Sequence, residues 1–278
     1  MDSTEAPERR RLTPSDMPSL MALVNTAGWN QTEQDWHRML AIGRGTGFAD
    51  ERGRIVASAV TLYYAGKIGW IGMVLVARDW RRKGLATRLL VDCIRKVQSA
   101  GAVPALDATP EGEKVYSALG FAGTMMITRW RGKGHARPYT ASRTDTLPDL
   151  EKIASLDARA FGADRRTLIK ALLSDASVAV HARDAETFAF LRPGRTSDQI
   201  GPVLSRDTAT AVDLVESIIS DTDGPLLIDV PDRQSEMAEL LEKNGFVRER
   251  GFRRMYMAEV DDLGDASLIH AIAGPELG

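Results

Sequence analysis

The apolar positions of this chain recur at two periods, and the places where one period gives way to the other predict its elements. In residues 14–27, Met17, Leu20, Met21 and Val24 follow helical spacing. Thr13, Ser15 or Asp16 can cap that segment, Pro18 suits its first turn and Gly28 ends it. A second short helix from Thr32 carries Trp36, Met39 and Leu40. Residues 47–64 alternate turn signals with β-rich runs, which predicts antiparallel hairpin strands. Residues 67–76 (KIGWIGMVLV) are almost continuously apolar, as a strand buried on both faces is. A basic turn over 77–84 then hands over to a helix with the apolar face Leu85, Leu89, Cys93 and Val97, flanked by Ala86, Leu90 and Ile94. A strand over 103–107, a helix over 110–119 and a strand over 121–130 complete the set.

Residues 131–148 (RGKGHARPYTASRTDTLP) have the polar, Gly/Pro/Ser/Thr-rich composition of a linker. The expected organisation is a domain over 1–134, a linker over 135–148 and a second domain over 149–278. The element order then repeats: helices over 148–161 and 165–174, strands over 178–182, 187–191 and 199–204, a helix over 207–220, a strand over 226–230, a helix over 235–243 and a strand over 248–258. Ile71-Gly72-Met73-Val74-Leu75 returns as Ile200-Gly201-Pro202-Val203-Leu204, and Leu119-Gly120-Phe121 as Asn244-Gly245-Phe246, at offsets of 129 and 125 residues. Two echoes at nearly one offset, within one element order, indicate a duplicated fold.

Composition narrows the function classes. The chain has 278 residues, 44% hydrophobic and 27% charged, which suits one or two globular domains and excludes collagenous and wholly disordered chains. Thirty-six Lys and Arg against thirty-eight Asp and Glu leave a net charge of −2, so no global field favours nucleic acid or an anionic membrane, and no basic face with interleaved aromatics suggests a nucleic-acid partner. Any anion site is local. The single cysteine, Cys93, and four scattered histidines offer no metal-ligand spacing, so no metal is expected. No apolar run approaches the ~18 residues needed to span a bilayer, and the charged start MDSTEAPERRRL does not resemble a signal peptide, which makes a cytoplasmic location the expectation.

The candidate chemistry lies at Arg81, Arg82, Lys83, Gly84, Leu85, Ala86 and Thr87, where a strand passes into a helix. A first helical turn has unpaired N–H groups and the positive end of the helix dipole, which together suit a phosphate or diphosphate. Gly84 and Ala86 leave the backbone approachable, and three cations surround it. From spacing alone, a solvated basic turn is an equal alternative. Neither the G-x-x-x-x-G-K-[ST] loop nor the G-x-G-x-x-G dinucleotide turn is present.

Val76-Ala77-Arg78-Asp79-Trp80-Arg81-Arg82-Lys83-Gly84-Leu85-Ala86, followed thirty residues on by Tyr116-Ser117-Ala118-Leu119-Gly120-Phe121, resembles the coenzyme A signature of the GNAT superfamily of N-acetyltransferases. That signature reads V-x-P-x-x-[RQ]-x-x-G-x-[GA], then N-x-x-A-x-x-x-Y-x-x-L-G-F. Arg78 stands in place of the proline, and Thr109 and Gly112 in place of the Asn and Ala. Gly28-Trp29-Asn30-Gln31-Thr32 with Leu106-Asp107-Ala108-Thr109-Pro110 also resembles a bacterial subgroup with a second, degenerate domain of the same kind. The resemblance implies an α/β (α+β) chain of two tandem GNAT-like domains, each a mixed, mostly antiparallel sheet flanked by helices. It implies acetyl-CoA as acyl donor. Val74, Leu75 and Val76 would pair with the pantetheine arm, the N–H of Met73 or Val74 would hold the thioester carbonyl, the amides of residues 82–87 would hold the pyrophosphate, and Tyr116 would protonate the departing thiolate.

The second copy has Pro202 where the first has Met73, no glycine over 203–223, and an acid, Asp207, where the first has its basic turn, so one coenzyme site per chain is expected. Asp107 is the candidate base for the attacking amine, or else a structural carboxylate at a helix start. Trp29, Asn30, Trp36 and Trp70 are candidates for the acceptor wall, which suits a small, partly apolar amine. A homodimer is compatible with these features. The alternative function is a non-catalytic acyl-CoA sensor or partner-binding module.

Overall fold

The computed structural model describes residues 6–65, 67–135, 149–184, 186–257 and 264–278. The chain divides into two compact units, Met1–Leu106 and Asp107–Gly278.

Unit 1 runs β1 (Glu8–Arg11), α1 (Met17–Ala27), α2 (Glu33–Ile42), β2 (Gly43–Ala49), β3 (Ile55–Tyr64), β4 (Ile68–Val76), α3 (Leu85–Ser99) and the start of β5 (Val103–Ala108). The strands lie in chain order, antiparallel except for the parallel pair β4 and β5. Helices cover both faces. Added Cβ atoms on Gly43 and Gly45 of β2 would collide with Leu62, Leu40 or Leu12, so bare backbone there admits α2 and the chain entering α1. On the other face Gly69 of β4 has Val97 of α3 against its backbone. α3 buries Leu85, Leu89, Leu90, Cys93, Ile94 and Val97, the stripe its periodicity predicts, each large side chain contributing roughly 1.5–3 kcal/mol of gross burial. Cys93 is a buried small hydrophobe whose thiol is pushed up by burial.

Unit 2 runs α4 (Pro110–Ala118), β6 (Ala122–His135), α5 (Leu150–Phe161), α6 (Arg166–Leu173), β7 (Ala179–Asp184), β8 (Thr187–Arg192), β9 (Asp198–Leu204), α7 (Thr208–Asp221), β10 (Asp223–Pro231), α8 (Ser235–Lys243), β11 (Val247–Tyr256) and β12 (Ile269–Ala271). Its strands stand in the order β11-β6-β10-β9-β8-β7, with β12 paired to β9. Trp130, Ile200, Leu214, Ile218, Ile228, Met237 and Phe246 belong to a core cluster that α7 and α8 share with the strands.

The compact units divide earlier than the linker composition suggests, and of the stretch 135–148 all but His135 lies outside the described residues. The reason is pairing. β6, the last strand of the first repeat, lies antiparallel between β10 and β11, the last two long strands of the second. It is also longer than the expected 121–130, because its extension to His135 pairs with Asp223 at the start of β10. β1 and β12 are short strands that the periodicity left unassigned.

Candidate active site

β4 breaks its regular pairing where the chemistry is expected. Its parallel register with β5 runs from Ile68 and Val103 to Trp70 and Ala105 and stops there, so from Ile71 onward β3 is its paired neighbour in unit 1. On that side the register jumps: Gly72 faces Val60 and Leu75 faces Ser58, so Met73 and Val74 together oppose Ala59. This is a bulge, and Met73 takes a left-handed φ of 54° within it. Such a conformation costs about 1–3 kcal/mol for a residue with a side chain. The Ser58 hydroxyl donates to the Met73 carbonyl at 2.9 Å and holds the distortion in place. Met73 and Leu75 are buried, whereas Val74 and Val76 are half-buried, so the bulge leaves part of the strand accessible. The sequence carries no local signal for this bulge, since nothing in Gly72-Met73-Val74 demands a positive φ.

Beyond Val76 a 3₁₀ turn over Arg78–Trp80 leads to α3. Arg78 fits the place of the family's proline because that place is the first residue of a 3₁₀ turn, where no particular side chain is needed. Gly84 precedes the helix with φ of 75° and nothing within 4 Å of where a Cβ would stand. The first backbone bond after the turn is from Arg88 N–H to the Gly84 carbonyl, and the amides of residues 82–87 make no backbone hydrogen bond among the described residues. That is a row of donors at a helix start, beside open space. The three cations differ in role. Arg81 donates from Nε to the Val76 carbonyl at 3.2 Å, and Lys83 Nζ lies 4.6 Å from the Trp80 ring centroid, so both brace the turn. Arg82, exposed and with φ of 61°, has no side-chain partner among the described residues and is free to meet an anion.

The corresponding place in the second repeat is filled. β9 pairs with β10 only from Asp198 to Ile200, and beyond that β12 takes up the edge through Val203 and Leu204. Ile272 N–H continues the contact by donating to the Asp229 carbonyl, and the backbone of Gly201 runs close against the Ile272 carbonyl. At the start of α7 the carboxylate of Asp207 accepts from Thr210 N–H at 2.8 Å, so the protein caps its own helix. A protein strand and a protein carboxylate therefore stand where the first repeat keeps a free edge and free amides.

Tyr116 and Asp107 belong to unit 2. Tyr116 lies on α4, which Thr109 caps by accepting from Gly112 N–H at 3.3 Å, so Thr at 109 keeps a capping role. A Cβ on Gly112 would come within 2.8 Å of the Tyr116 ring, so glycine in place of alanine gives the ring room across the helix start. The ring packs on Phe121 at 6.2 Å between centroids, and burial pushes the phenol up to about 12. Asp107 is not a free carboxylate: Arg254 of β11 donates to both of its oxygens at 2.9 Å, with the side chains 0% and 4% exposed. Burial raises its pKa, and the Arg254 charge opposes that rise. Its geometry is that of a structural ion pair.

Of the proposed acceptor wall, Trp36 and Trp70 are fully buried and present no surface to a cleft, Asn30 is buried, and Trp29 is half-buried. The Trp36 indole nitrogen is buried without a hydrogen-bond partner among the described residues. Among the described residues no cluster of His, Cys, Asp and Glu could hold a metal, and no helix is long and apolar enough to cross a membrane.

A family model described as "Acetyltransferase (GNAT) family" matches residues 13–121, and another described as "Acetyltransferase (GNAT) domain" matches residues 153–266. The chain belongs to the GNAT acetyltransferases. It carries two GNAT domains, and acyl transfer is its class of chemistry. It is 26% identical over 246 residues to the N-acetyltransferase YitH of Bacillus subtilis (strain 168), itself uncharacterised, with 85% of this chain and 86% of that protein covered. A Pyrococcus horikoshii protein described as an acetyltransferase shares the fold with a TM-score of 0.83 at 16% identity, covering 100% of this chain and 99% of the other. A tandem GNAT protein of the clavulanic acid biosynthesis pathway shares it with a TM-score of 0.63 at 11% identity, covering 92% and 100%. In this GNAT chain the first domain keeps the amide row and the free strand edge, and the second is degenerate at both.

Proposed function

We propose that the first GNAT domain binds acetyl-CoA and that the enzyme transfers the acetyl group to the amine of a small molecule by direct attack in a ternary complex. The observation that carries this reading is the row of unpaired amides at 82–87 behind a left-handed, open Gly84, in line with a β4 edge released from β5 after Trp70. The residues suit the coenzyme. The amide row matches a pyrophosphate, Arg82 adds a free cation, and the half-buried edge at Val74 and Val76 suits the amide-bearing pantetheine arm. The thioester supplies an activated acyl carbon.

The chain's own contribution is positioning and charge placement. A fixed N–H of Met73 or Val74 is the proposed donor to the carbonyl oxygen, where attack builds negative charge. The Ser58 hydrogen bond that fixes the bulge thereby positions this donor. Tyr116 is the proposed proton donor to the departing thiolate, on its motif position and a phenol that holds its proton until about pH 12. With Asp107 committed to Arg254, water takes up the amine proton in this reading, while Tyr116 gives one to the thiolate.

Calorimetric titration with coenzyme A, joined to a free-thiol assay over a panel of amines, tests the proposal. Binding near one equivalent, abolished by Arg82→Glu, together with amine-dependent thiol release slowed by Tyr116→Phe at unchanged binding, is expected. No binding sinks the reading, and binding without thiol release for any amine makes the chain an acyl-CoA-binding module instead.

A further inference from the structure

β1 contains three consecutive arginines with different fates. Arg9 pairs with Asp92 of α3 at 2.5 Å, and Arg10 pairs with Asp16 at 2.6 Å. The side chain of Arg11 has no ion pair or hydrogen bond among the described residues, and neither do Arg44 of β2 and Arg95 of α3. Strand register brings these groups together. Arg11 lies opposite Thr46, Arg44 opposite Thr61 and Tyr63 opposite Gly69, whose backbone meets Val97 of α3. Alternation therefore puts Arg11, Arg44 and Tyr63 on the sheet face that α3 covers. With Arg95, Lys96 and Ser99 from the last turns of α3 they line a cleft of about 620 Å³.

No acidic residue is among the described residues lining this cleft. The nearest compensation is Asp92, whose single charge is shared between Arg9 at 2.5 Å and Lys96 at 2.6 Å. Cations at a helix C-terminus have an ordinary explanation in the helix dipole, and that accounts for Arg95 and Lys96. It does not balance the cleft as a whole, because Arg11 and Arg44 from two strands bring the cations lining it to four, against the roughly half charge that one helix end supplies. Guanidinium groups facing one cleft without counter-charge repel one another, a cost that a bound anion removes.

We propose that this cleft is a binding site for a small phosphorylated molecule, separate from the coenzyme cradle. The two lie at opposite ends of α3, whose fifteen residues span roughly 20 Å. Guanidinium forks match phosphate oxygens in pairs, so Arg11, Arg44 and Arg95 can grip two or three negative charges from three sides. Tyr63, an exposed residue of the lining, can add a hydrogen bond through its hydroxyl, and the volume is within the range of small-ligand sites.

Calorimetry with inorganic pyrophosphate tests the proposal on three proteins: the wild type, Arg44→Gln with Arg95→Gln, and Arg82→Glu with Lys83→Glu. The expected result is saturable pyrophosphate binding that weakens by about tenfold or more in the Arg44/Arg95 variant and persists in the Arg82/Lys83 variant. The far-UV dichroism and coenzyme A titration of the Arg44/Arg95 variant should match the wild type, and Arg95→Gln alone serves if the double variant does not fold. Unchanged affinity in the Arg44/Arg95 variant, loss only in the Arg82/Lys83 variant, or no wild-type binding would overturn the proposal. Citrate binding equal to pyrophosphate would overturn the phosphate assignment and make the ligand a polycarboxylate.

Discussion

Asp107 looks like a base in one dimension because the cation that claims it, Arg254, stands 147 positions away. The pair is buried on both sides, so removing one partner strands a charge. Arg254→Met should therefore cost about 3–5 kcal/mol in urea denaturation, and adding Asp107→Leu should recover most of that loss. Recovery would mark the pair as structural; persistent loss of transfer in a stable double variant would return Asp107 to the chemistry. Tyr116 allows a sign to be worked out. Its folded phenol titrates at about 12 against an ordinary 10.0, so its contribution to stability is whole below pH 10 and is lost as pH rises from about 10 to about 12. Ultraviolet titration of phenolate should show the high-pH signal lose the contribution of one tyrosine in Tyr116→Phe, while that of the other phenols raised by burial, Tyr63 and Tyr256, remains. The capping role of Thr109, which in the sequence stood only as a departure from the signature's Asn, was not legible; at this scale the candidate site was legible where local motif and backbone role coincide, as at Gly84. It was not legible at Trp36 and Trp70, where an aromatic wall and an aromatic core have the same one-dimensional signature.

Helix starts show at the level of elements why one repeat keeps a site and the other does not. α3 begins behind a glycine that offers no cap, and α7 begins behind Asp207, which supplies one. Asp207→Ala should cost about 1 kcal/mol of stability, because Thr210 N–H loses its acceptor. β12 closes the matching strand edge and brings His270 into the interior, where Nε2 faces the Ser205 carbonyl at 3.3 Å and Nδ1 has no partner among the described residues. Burial holds this imidazole below its ordinary 6.5, so the folded state favours it neutral. Its contribution is present above pH 6.5 and fades as pH falls through the lower folded value, a slope that His270→Gln should flatten in pH-dependent melts. Long periodic elements such as α3 and β4 were legible from the sequence because burial of one stripe, or of a whole strand, writes itself into composition. β1 and β12 were not. A four-residue strand reading ERRR has no apolar position to alternate with its polar ones, and three residues are too few to establish a period.

Over the whole molecule, the duplication was visible as two echoes at nearly one offset, yet the repeats do not close on themselves. β6 belongs to the first repeat by sequence and lies between β10 and β11 of the second, a long-range pairing that no local period encodes. If only the first repeat retains the amide row, a coenzyme A titration of the whole chain should saturate at about one equivalent, and a second tight equivalent would mean that β12 can leave its edge. The pairing of β6 bears on where the chain can be cut. A chain begun at residue 149 starts after the linker composition but lacks β6, which leaves β10 and β11 without their common neighbour and Asp229 without the buried Arg129 that meets it at 2.7 Å. Such a chain should show no cooperative thermal transition by circular dichroism. A chain begun at Asp107 keeps β6, both halves of the Arg129–Asp229 pair and both halves of the Asp107–Arg254 pair, and should melt cooperatively. Cooperative melting of the shorter chain would show that the second repeat folds without its borrowed strand, and would move the functional boundary back to the linker.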